Sequence, residues 1–135
     1  FCVVNEKNKG AIAERFVRDL NIKVHSIRQR VGTLSGGNQQ KVVISKCLNA
    51  QTQVLMLDEP SRGIDVGAKE EIYTIIRKMA ADGVGILVFS SEYDEIAALC
   101  DRVALMQGGR IIAMRDNADL DSTQIHILTM GGNQA

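Results

Sequence analysis

Two adjacent carboxylates follow a short apolar run and could support metal and water chemistry. The run is residues 54–57, and Asp58 and Glu59 come directly after it. Because side chains alternate along a strand, these two neighbours point in different directions and can take different tasks. One could hold a magnesium ion, directly or through water, while the other orients and polarises an attacking water. An isolated Asp-Glu pair more often begins a surface loop, so the pair needs support from the rest of the sequence.

A glycine-containing segment before a predicted helix could bind phosphate. Ser35, Gly36 and Gly37 precede Asn38 and Gln39. Glycines let the backbone approach a ligand, and the start of a helix offers unpaired N–H groups and a positive dipole end. The alternative is that Ser35 or Asn38 only caps the helix while the glycines turn the chain. The phosphate-binding pattern G-x-x-x-x-G-K-[ST] is absent, because residues 32–37 continue with Asn and Gln where it needs lysine and a hydroxyl.

Alternating helices and strands must position these residues. Helical spacing of apolar side chains predicts helices at residues 6–20, 38–48, 69–81, 92–99 and 121–130. Short apolar runs predict strands, buried on both faces, at residues 54–57 and 84–90. Residues 103–106 and 110–114 flank Gln107, Gly108 and Gly109 and predict a β-hairpin, and Gly83 suits the left-handed position after a helix. This order predicts an α/β fold with a parallel sheet as its core.

The composition excludes several classes of protein. The chain has 135 residues, of which 45% are apolar and 24% charged, as in a globular domain or a piece of one. Its apolar runs are far shorter than the roughly 20 residues of a membrane-spanning helix. Sixteen basic and sixteen acidic residues cancel, and no basic block is interleaved with aromatic residues. These features argue against a dedicated nucleic-acid surface.

The cysteines and histidines are not predicted to form a site. Cys2, Cys47 and Cys100 are odd in number and have no C-x-x-C spacing. We therefore expect buried free thiols in a reducing compartment, without a disulfide or zinc. His25 and His126 have no second ligand at metal-binding spacing, so we assign them surface or packing roles.

Together, these segments resemble the second half of an ABC-type ATPase domain. Residues 34–37 are similar to the family's signature motif, residues 54–59 to its Walker B strand with the catalytic glutamate, and residues 61–65 to its D-loop. The strings LSGGNQQKVVISK and LDEPSRGIDVGAKEEIY resemble more narrowly the C-terminal ATPase domain of the two-domain subunits that power ribose, galactose and xylose importers. Asn38, where Gln is more usual, and Arg62 with Gly63 carry this narrower resemblance.

The resemblance implies a partial P-loop NTPase fold, with a parallel-sheet core, part of the helical signature subdomain and a C-terminal β-hairpin. Residues 1–52 would form the helical signature part, and residues 53–135 would carry the Walker B strand, the D-loop and the switch position. The full protein would use ATP and Mg²⁺ to drive sugar import from the cytoplasmic face of a bacterial membrane. Its partners would be a second ATPase domain, membrane permease subunits and, indirectly, a periplasmic sugar-binding protein, with no nucleic acid.

The resemblance also implies roles for individual residues. Glu59 would be catalytic, Asp58 would bind Mg²⁺ directly or through water, and Asp65 would be the D-loop aspartate. The residues that would contact ATP held by a partner domain are Ser35, Gly36, Gly37, Asn38 and Gln39. Ser91 stands at the switch position, where most ABC ATPases have a histidine. Serine cannot share charge with a γ-phosphate as an imidazole can.

The chain also departs from the complete family pattern. It begins with Phe1, after the places where the family has its Walker A and Q-loop, so we interpret it as a fragment. We expect the isolated chain to hydrolyse no ATP and to self-associate through an exposed strand edge. Two alternatives stay open. One is an ABC ATPase that acts on ribosomes or DNA, and the other is a catalytically inactive interaction fragment.

Overall fold

The computed structural model describes residues 6–118 and 120–131, and helices alternate with strands along them. The elements are α1 (Glu6–Asp19), a 3-10 turn (Val31–Thr33), α2 (Gly36–Asn49), β1 (Val54–Asp58), α3 (Val66–Ala81), β2 (Gly85–Phe89), α4 (Tyr93–Leu99), β3 (Arg102–Gln107), β4 (Arg110–Asp116) and α5 (Ser122–Gly131). The predicted α/β class and every predicted helix and strand are therefore confirmed. None of the helices among these residues is long and apolar enough to cross a membrane.

The chain divides into two units. The first runs to Leu55 and includes Ser61–Gly85, and the second comprises Met56–Pro60 and the residues from Ile86 onward. In the first unit α2 packs against α3, with Ile44 and Ile72 fully buried. This unit carries residues 34–37, which resemble the signature motif and are called the signature loop here, and residues 61–65, which resemble the D-loop.

Two helices begin earlier than the sequence indicates. We expected α2 to start at Asn38, but Gly36 and Gly37 form its first turn and Ser35 is the N-cap residue. The alternative that these glycines only turn the chain is wrong, because both are helical and neither has a positive φ. α3 starts at Val66 because the Asp65 side chain caps it, accepting from the Ala68 N–H at 3.0 Å.

The end of α3 follows the prediction closely. The helix ends at Ala81, and Gly83 has a φ of 95°. The N–H of Gly83 donates to the Ala80 carbonyl at 3.0 Å, and Val84 N–H donates to Met79 at 3.1 Å. Glycine is favoured at this left-handed position because it has no Cβ to clash with the backbone.

β1 and β2 run parallel, as expected, but the prediction that both faces are buried was wrong. The N–H of Gly85 donates to the Gln53 carbonyl at 2.9 Å, and the N–H of Glu59 donates to Phe89 at 2.8 Å. In β1, Leu55 and Leu57 are each 7% exposed, whereas Val54 is 66% and Met56 65% exposed. Alternation puts the two pairs on opposite faces, and nothing among the described residues covers the second face.

β2 is also less buried than predicted. Leu87 is 48% and Phe89 38% exposed. Ile86 and Val88, which alternate with them along the strand, are half-buried. The strand therefore has one partly covered face, as an alternating strand does when only one side is packed. Its short apolar sequence could not indicate this, because such a run suits a strand buried on either one face or two.

The second unit contains the predicted β-hairpin. β3 and β4 pair antiparallel, Gln107 lies opposite Arg110, and Gly108 and Gly109 turn the chain with φ of 56° and 74°. A register irregularity lies between Leu105 and Met106. The unit's buried core is Val103, Leu105 and Ile125, and α4 packs against α5.

The thiols that the structure describes are free and half-buried. These are Cys47 and Cys100, while Cys2 lies outside the described residues. Burial, with the nearby negative charges of Asp101 and Glu95, raises the pKa of the Cys100 thiol. A raised pKa keeps this thiol protonated and poorly nucleophilic.

Candidate functional site

The signature loop presents hydrogen-bond donors at the start of α2. The first bond of the helix runs from the Gln39 N–H to the Ser35 carbonyl at 2.9 Å. The N–H groups of Gly36, Gly37 and Asn38 precede it, where a helix supplies no acceptor of its own. Ser35 and Gly36 are exposed. With the helix dipole adding partial positive charge, this end of α2 is suited to an anion.

The side chains of Asn38 and Gln39 hold the loop itself. Asn38 Nδ2 donates to Ser35 Oγ at 2.8 Å, and Asn38 Oδ1 accepts from the Lys23 N–H at 2.8 Å. Gln39 Nε2 donates to the Leu34 carbonyl at 2.8 Å. These bonds support the loop from within. The predicted contact of Asn38 and Gln39 with ATP stays a prediction.

The two adjacent glycines have different surroundings. A Cβ added at Gly36 would meet the Gly63 carbonyl at 3.7 Å and the Ile64 side chain at 4.0 Å, which are ordinary contacts. A Cβ at Gly37 would lie only 2.7 Å from the Ala68 Cβ. Gly37 therefore permits the close approach of α2 and α3, whereas Gly36 leaves open backbone at the surface.

A polar cleft of about 270 Å³ adjoins the signature loop within the first unit. Its lining includes Ser35, Asn38, Lys41, Asp65 and Glu71. The structure thus brings Ser35 and Asp65, the predicted signature serine and D-loop aspartate, to one cleft. Since Asp65 Oδ1 is bound to the Ala68 N–H, this carboxylate also fixes the start of α3.

Lys41, which the sequence analysis missed, is a buried cation in this cleft. It is 3% exposed, donates to the Asn21 carbonyl at 3.0 Å and forms an ion pair with Glu71. The hydrogen bond from Lys41 to Glu71 and the lysine charge hold the pKa of the Glu71 carboxyl below its usual value. A sequence signal existed, because Lys41 lies three residues before Ile44 and so shares the apolar side of the predicted helix.

The structure brings Glu59 and Ser91 together at the ends of β1 and β2. Glu59 Oε1 accepts from the Ser91 N–H at 3.0 Å and from Ser91 Oγ at 2.8 Å. Ser90 Oγ lies 3.5 Å from Oε2. The sequence placed Glu59 and Ser91 in one site by resemblance but did not indicate that they hydrogen-bond directly. Parallel neighbouring strands that end together provide the reason.

The backbone at Glu59 is left-handed. Its φ is 47°, although it is not glycine, and such a conformation costs about 1–2 kcal/mol for an ordinary side chain. Its N–H donates to the Phe89 carbonyl at 2.8 Å. The sheet and the serine donors thus fix this residue from both the main chain and the side chain.

Asp58 has the chemistry of a magnesium ligand. Its carboxylate is exposed, and alternation places it on the face of β1 that carries Val54 and Met56. Magnesium prefers hard oxygen ligands and retains several waters, so one accessible carboxylate fits a site completed by water and phosphate. Glu59, in contrast, is half-buried and already bound to Ser91.

The two histidines differ in their surroundings, and His126 lines a cleft of about 440 Å³ together with Ser91. His126 packs edge-on against Tyr93 with ring centroids 5.0 Å apart. The main-chain N–H of His25 donates to Gln29 Oε1 at 3.0 Å, and its side chain is exposed.

Sequence comparison relates the chain to known transport proteins. Residues 3–62 match the family described as ABC transporter. The chain is 55% identical over 109 residues to an L-arabinose transport ATP-binding protein of Geobacillus stearothermophilus, covering 81% of this chain and 21% of that protein. It is 46% identical over 132 residues to a xylose import ATP-binding protein of Thermoanaerobacter pseudethanolicus, covering 98% of this chain and 26% of that protein.

Structural comparison shows the fold of an ATP-binding cassette. The cassette MJ1267 of an ABC transporter aligns with a TM-score of 0.79 at 21% identity, covering all (100%) of this chain and 53% of that chain. The dimeric cassette MJ0796, bound to ADP and Pi, gives a TM-score of 0.73 at 18% identity over 88% of this chain and 51% of that one. The chain therefore spans about a quarter of the curated relatives and about half of the solved cassettes.

Proposed function

The chain belongs to the ABC transporter ATPase family, and we propose that it forms part of the ATP-hydrolysing subunit of a sugar importer. One observation carries the proposal, namely the open signature loop at the start of α2. Ser35 and Gly36 are exposed there, beside main-chain N–H groups without a helical acceptor. The sugar assignment is supported by relatives named for arabinose and xylose transport.

The signature loop would bind the γ-phosphate of an ATP molecule held by a partner ATPase domain. The Ser35 hydroxyl and the N–H groups of Gly36 and Gly37 would donate to the phosphate oxygens. The main-chain N–H of Asn38 would continue this surface, and Gln39, whose own N–H already donates to the Ser35 carbonyl, would border it. Because these donors are fixed before the anion arrives, binding costs little reorganisation. A phosphate would thereby draw the two ATPase domains together.

The end of β1 would serve the ATP bound by this domain's own nucleotide cradle. Asp58 would hold Mg²⁺, directly or through water, and the ion would neutralise phosphate charge. Glu59 would orient and polarise the attacking water, while Ser91 fixes the Oε1 atom of that carboxylate. Asp65, which caps α3, would act as the D-loop aspartate beside the signature loop.

In the whole protein, residues 1–52 would form the helical signature part and residues 53–135 the part with Walker B, D-loop and switch. The ATPase would work at the cytoplasmic face of the membrane with permease subunits. A periplasmic binding protein would deliver the sugar to those permease subunits. We propose no nucleic-acid partner, since the charges balance and form no basic block.

Replacement of Gly36 by aspartate in the complete ATP-binding protein tests this function. Gly36→Asp would place a carboxylate where phosphate approaches, and like charges a few ångströms apart in a partly dry site cost of order several kcal/mol. We expect ATP turnover and sugar uptake to fail while the protein still folds, since a Cβ at Gly36 finds ordinary contacts. Gly32→Asp, the same exchange at an exposed glycine where a Cβ meets nothing within 4 Å, is the matched control and should retain both activities. Normal uptake by Gly36→Asp would overturn the proposal.

A further inference from the structure

Asn38 makes two hydrogen bonds whose directions can be assigned. Its Oδ1 lies 2.8 Å from the main-chain nitrogen of Lys23, and its Nδ2 lies 2.8 Å from Ser35 Oγ. A main-chain N–H can only donate, so the amide atom that faces Lys23 must be the oxygen. The amide nitrogen therefore faces Ser35 and donates to it. The Lys23 N–H thus fixes which way round the Asn38 amide sits.

This arrangement decides what the Ser35 hydroxyl can do. Because Ser35 Oγ accepts from Asn38, its own hydrogen is not used in that bond and can point to another acceptor. Asn38 is the third residue of α2, whose main-chain N–H an N-cap serine often binds. Among the described residues, the Ser35 side chain makes no such capping bond. The Asn38 side chain takes that place, so both the hydroxyl hydrogen and the Asn38 N–H remain available.

We propose that Asn38 is a positioning residue that orients the Ser35 hydroxyl to donate to a phosphate oxygen. This inference rests on the proposed function, since it concerns the same phosphate. It adds a distinct role, because Asn38 acts through Ser35 and its side chain need not touch the nucleotide. The Lys23 N–H orients the Asn38 amide, and the amide orients the Ser35 hydroxyl. The hydroxyl then donates to the phosphate oxygen.

Two substitutions at this position separate orientation from simple support of the loop. Asn38→Asp keeps the size and the acceptor for Lys23 but replaces the donor that faces Ser35 with a carboxylate oxygen. The Ser35 hydroxyl would then donate to Asp and turn lone pairs toward the phosphate. Asn38→Ala removes both bonds and leaves the hydroxyl free to rotate. If Asn38 orients the hydroxyl, Asn38→Asp should lower turnover more than Asn38→Ala. If Asn38 only supports the loop, Asn38→Ala should lower it more.

The experiment measures kcat and KM for ATP in the complete ATP-binding protein, with thermal unfolding as the check on folding. We expect Asn38→Asp to lower turnover at least about tenfold further than Asn38→Ala, as for a lost hydrogen bond to a charged group. Both variants are repeated with Ser35→Ala, where the difference should shrink to the charge repulsion alone because no hydroxyl remains to orient. Gln40→Glu, the same amide-to-carboxylate change two residues later in α2, is the matched control and should keep its turnover.

Several outcomes would overturn the inference. If Asn38→Ala lowers turnover as much as Asn38→Asp or more, Asn38 only supports the Lys23 segment. A deficit of Asn38→Asp that persists undiminished with Ser35→Ala, or one that Gln40→Glu reproduces, would indicate charge repulsion instead of orientation. If Ser35→Ala alone leaves turnover unchanged, the signature role in the proposed function fails as well. If Ser35→Ala is impaired but the two Asn38 variants match, only the positioning role fails.

Discussion

The start of α2 and the end of β1 handle charge in opposite ways. At the start of α2, the exposed Ser35 and Gly36 lie among main-chain donors that the helix leaves without acceptors. At the end of β1, the Glu59 carboxylate already accepts two bonds from Ser91, at 3.0 and 2.8 Å. The first region is prepared to receive an external anion, whereas the second holds an anion of its own in a fixed position.

The two regions also differ in how they reach their geometry. The signature loop keeps ordinary backbone angles, and small side chains provide its access to ligand. Glu59 instead adopts a φ of 47° and is held by the adjacent strand. We infer that substitutions in the loop act through space and charge. Substitutions at the strand end act through the carboxylate and the groups that hold it.

The largest effect is expected from Glu59→Gln. The amide keeps the length of the side chain, and its oxygen can still accept from Ser91, but the negative charge that polarises water is lost. We expect turnover at the site served by this residue to fall by about a hundredfold or more, in the range of general-base catalysis. The two ATP sites of the complete protein must be measured separately, because Ser91 at the switch position is expected to make this site slow.

Glu70→Gln is the matched control for that measurement. Glu70 is an exposed carboxylate in α3, so the change removes the same charge without touching β1. Its turnover should match that of the unaltered protein. Unchanged turnover in Glu59→Gln at its own site would contradict the assignment of Glu59 and leave only its contact with Ser91.

A smaller effect, on stability, is expected from the second signature glycine. Gly37→Ala would place its Cβ 2.7 Å from the Ala68 Cβ, so α2 and α3 must move apart. Overpacking of this kind lowers the free energy of unfolding by about 1–3 kcal/mol. Gly36→Ala should be neutral or slightly stabilising, because alanine favours helix and the space is open. Urea unfolding of both variants gives the comparison, and equal midpoints would show that α2 and α3 do not constrain Gly37.

The smallest effect is expected from the Lys41–Glu71 ion pair. Lys41 lowers the pKa of Glu71 in the folded protein, so the pair stabilises above the ordinary carboxyl pKa and loses this contribution as pH falls through the lowered one. We expect Glu71→Gln to be less stable than the unaltered protein near neutral pH. The difference in Tm should narrow as the pH falls below the ordinary pKa of a glutamate. Melting curves that stay parallel over this range would exclude the pair as a source of pH dependence.

The sequence predicted much of the fold because periodic elements carry local signals. Apolar spacing through Ile72 and Ile76, followed by Gly83, was sufficient for α3. The glycines at 108 and 109 identified the hairpin. The boundary of α2 was missed because the sequence does not distinguish a glycine in the first turn of a helix from a glycine in a loop.

Details of the candidate site depend on contacts between distant segments and could not be predicted. Nothing in the order of residues indicates that Ala68 lies against Gly37, or that Ser91 donates twice to Glu59. The exposure of Val54 and Met56 was also missed, since burial depends on what covers a strand and not on the strand's own sequence.

The left-handed backbone at Glu59 restricts which amino acids can ever occupy this position. A φ of 47° suits glycine and, among other residues, asparagine and aspartate, while β-branched residues clash there. In a library of all nineteen substitutions, protein abundance would therefore rank the variants by backbone tolerance, and turnover would rank them by acidity. Aspartate is the substitution that ranks well on both scales, although its carboxylate falls one methylene short of Ser91. The position is thus constrained twice, once by the path of the chain and once by the reaction.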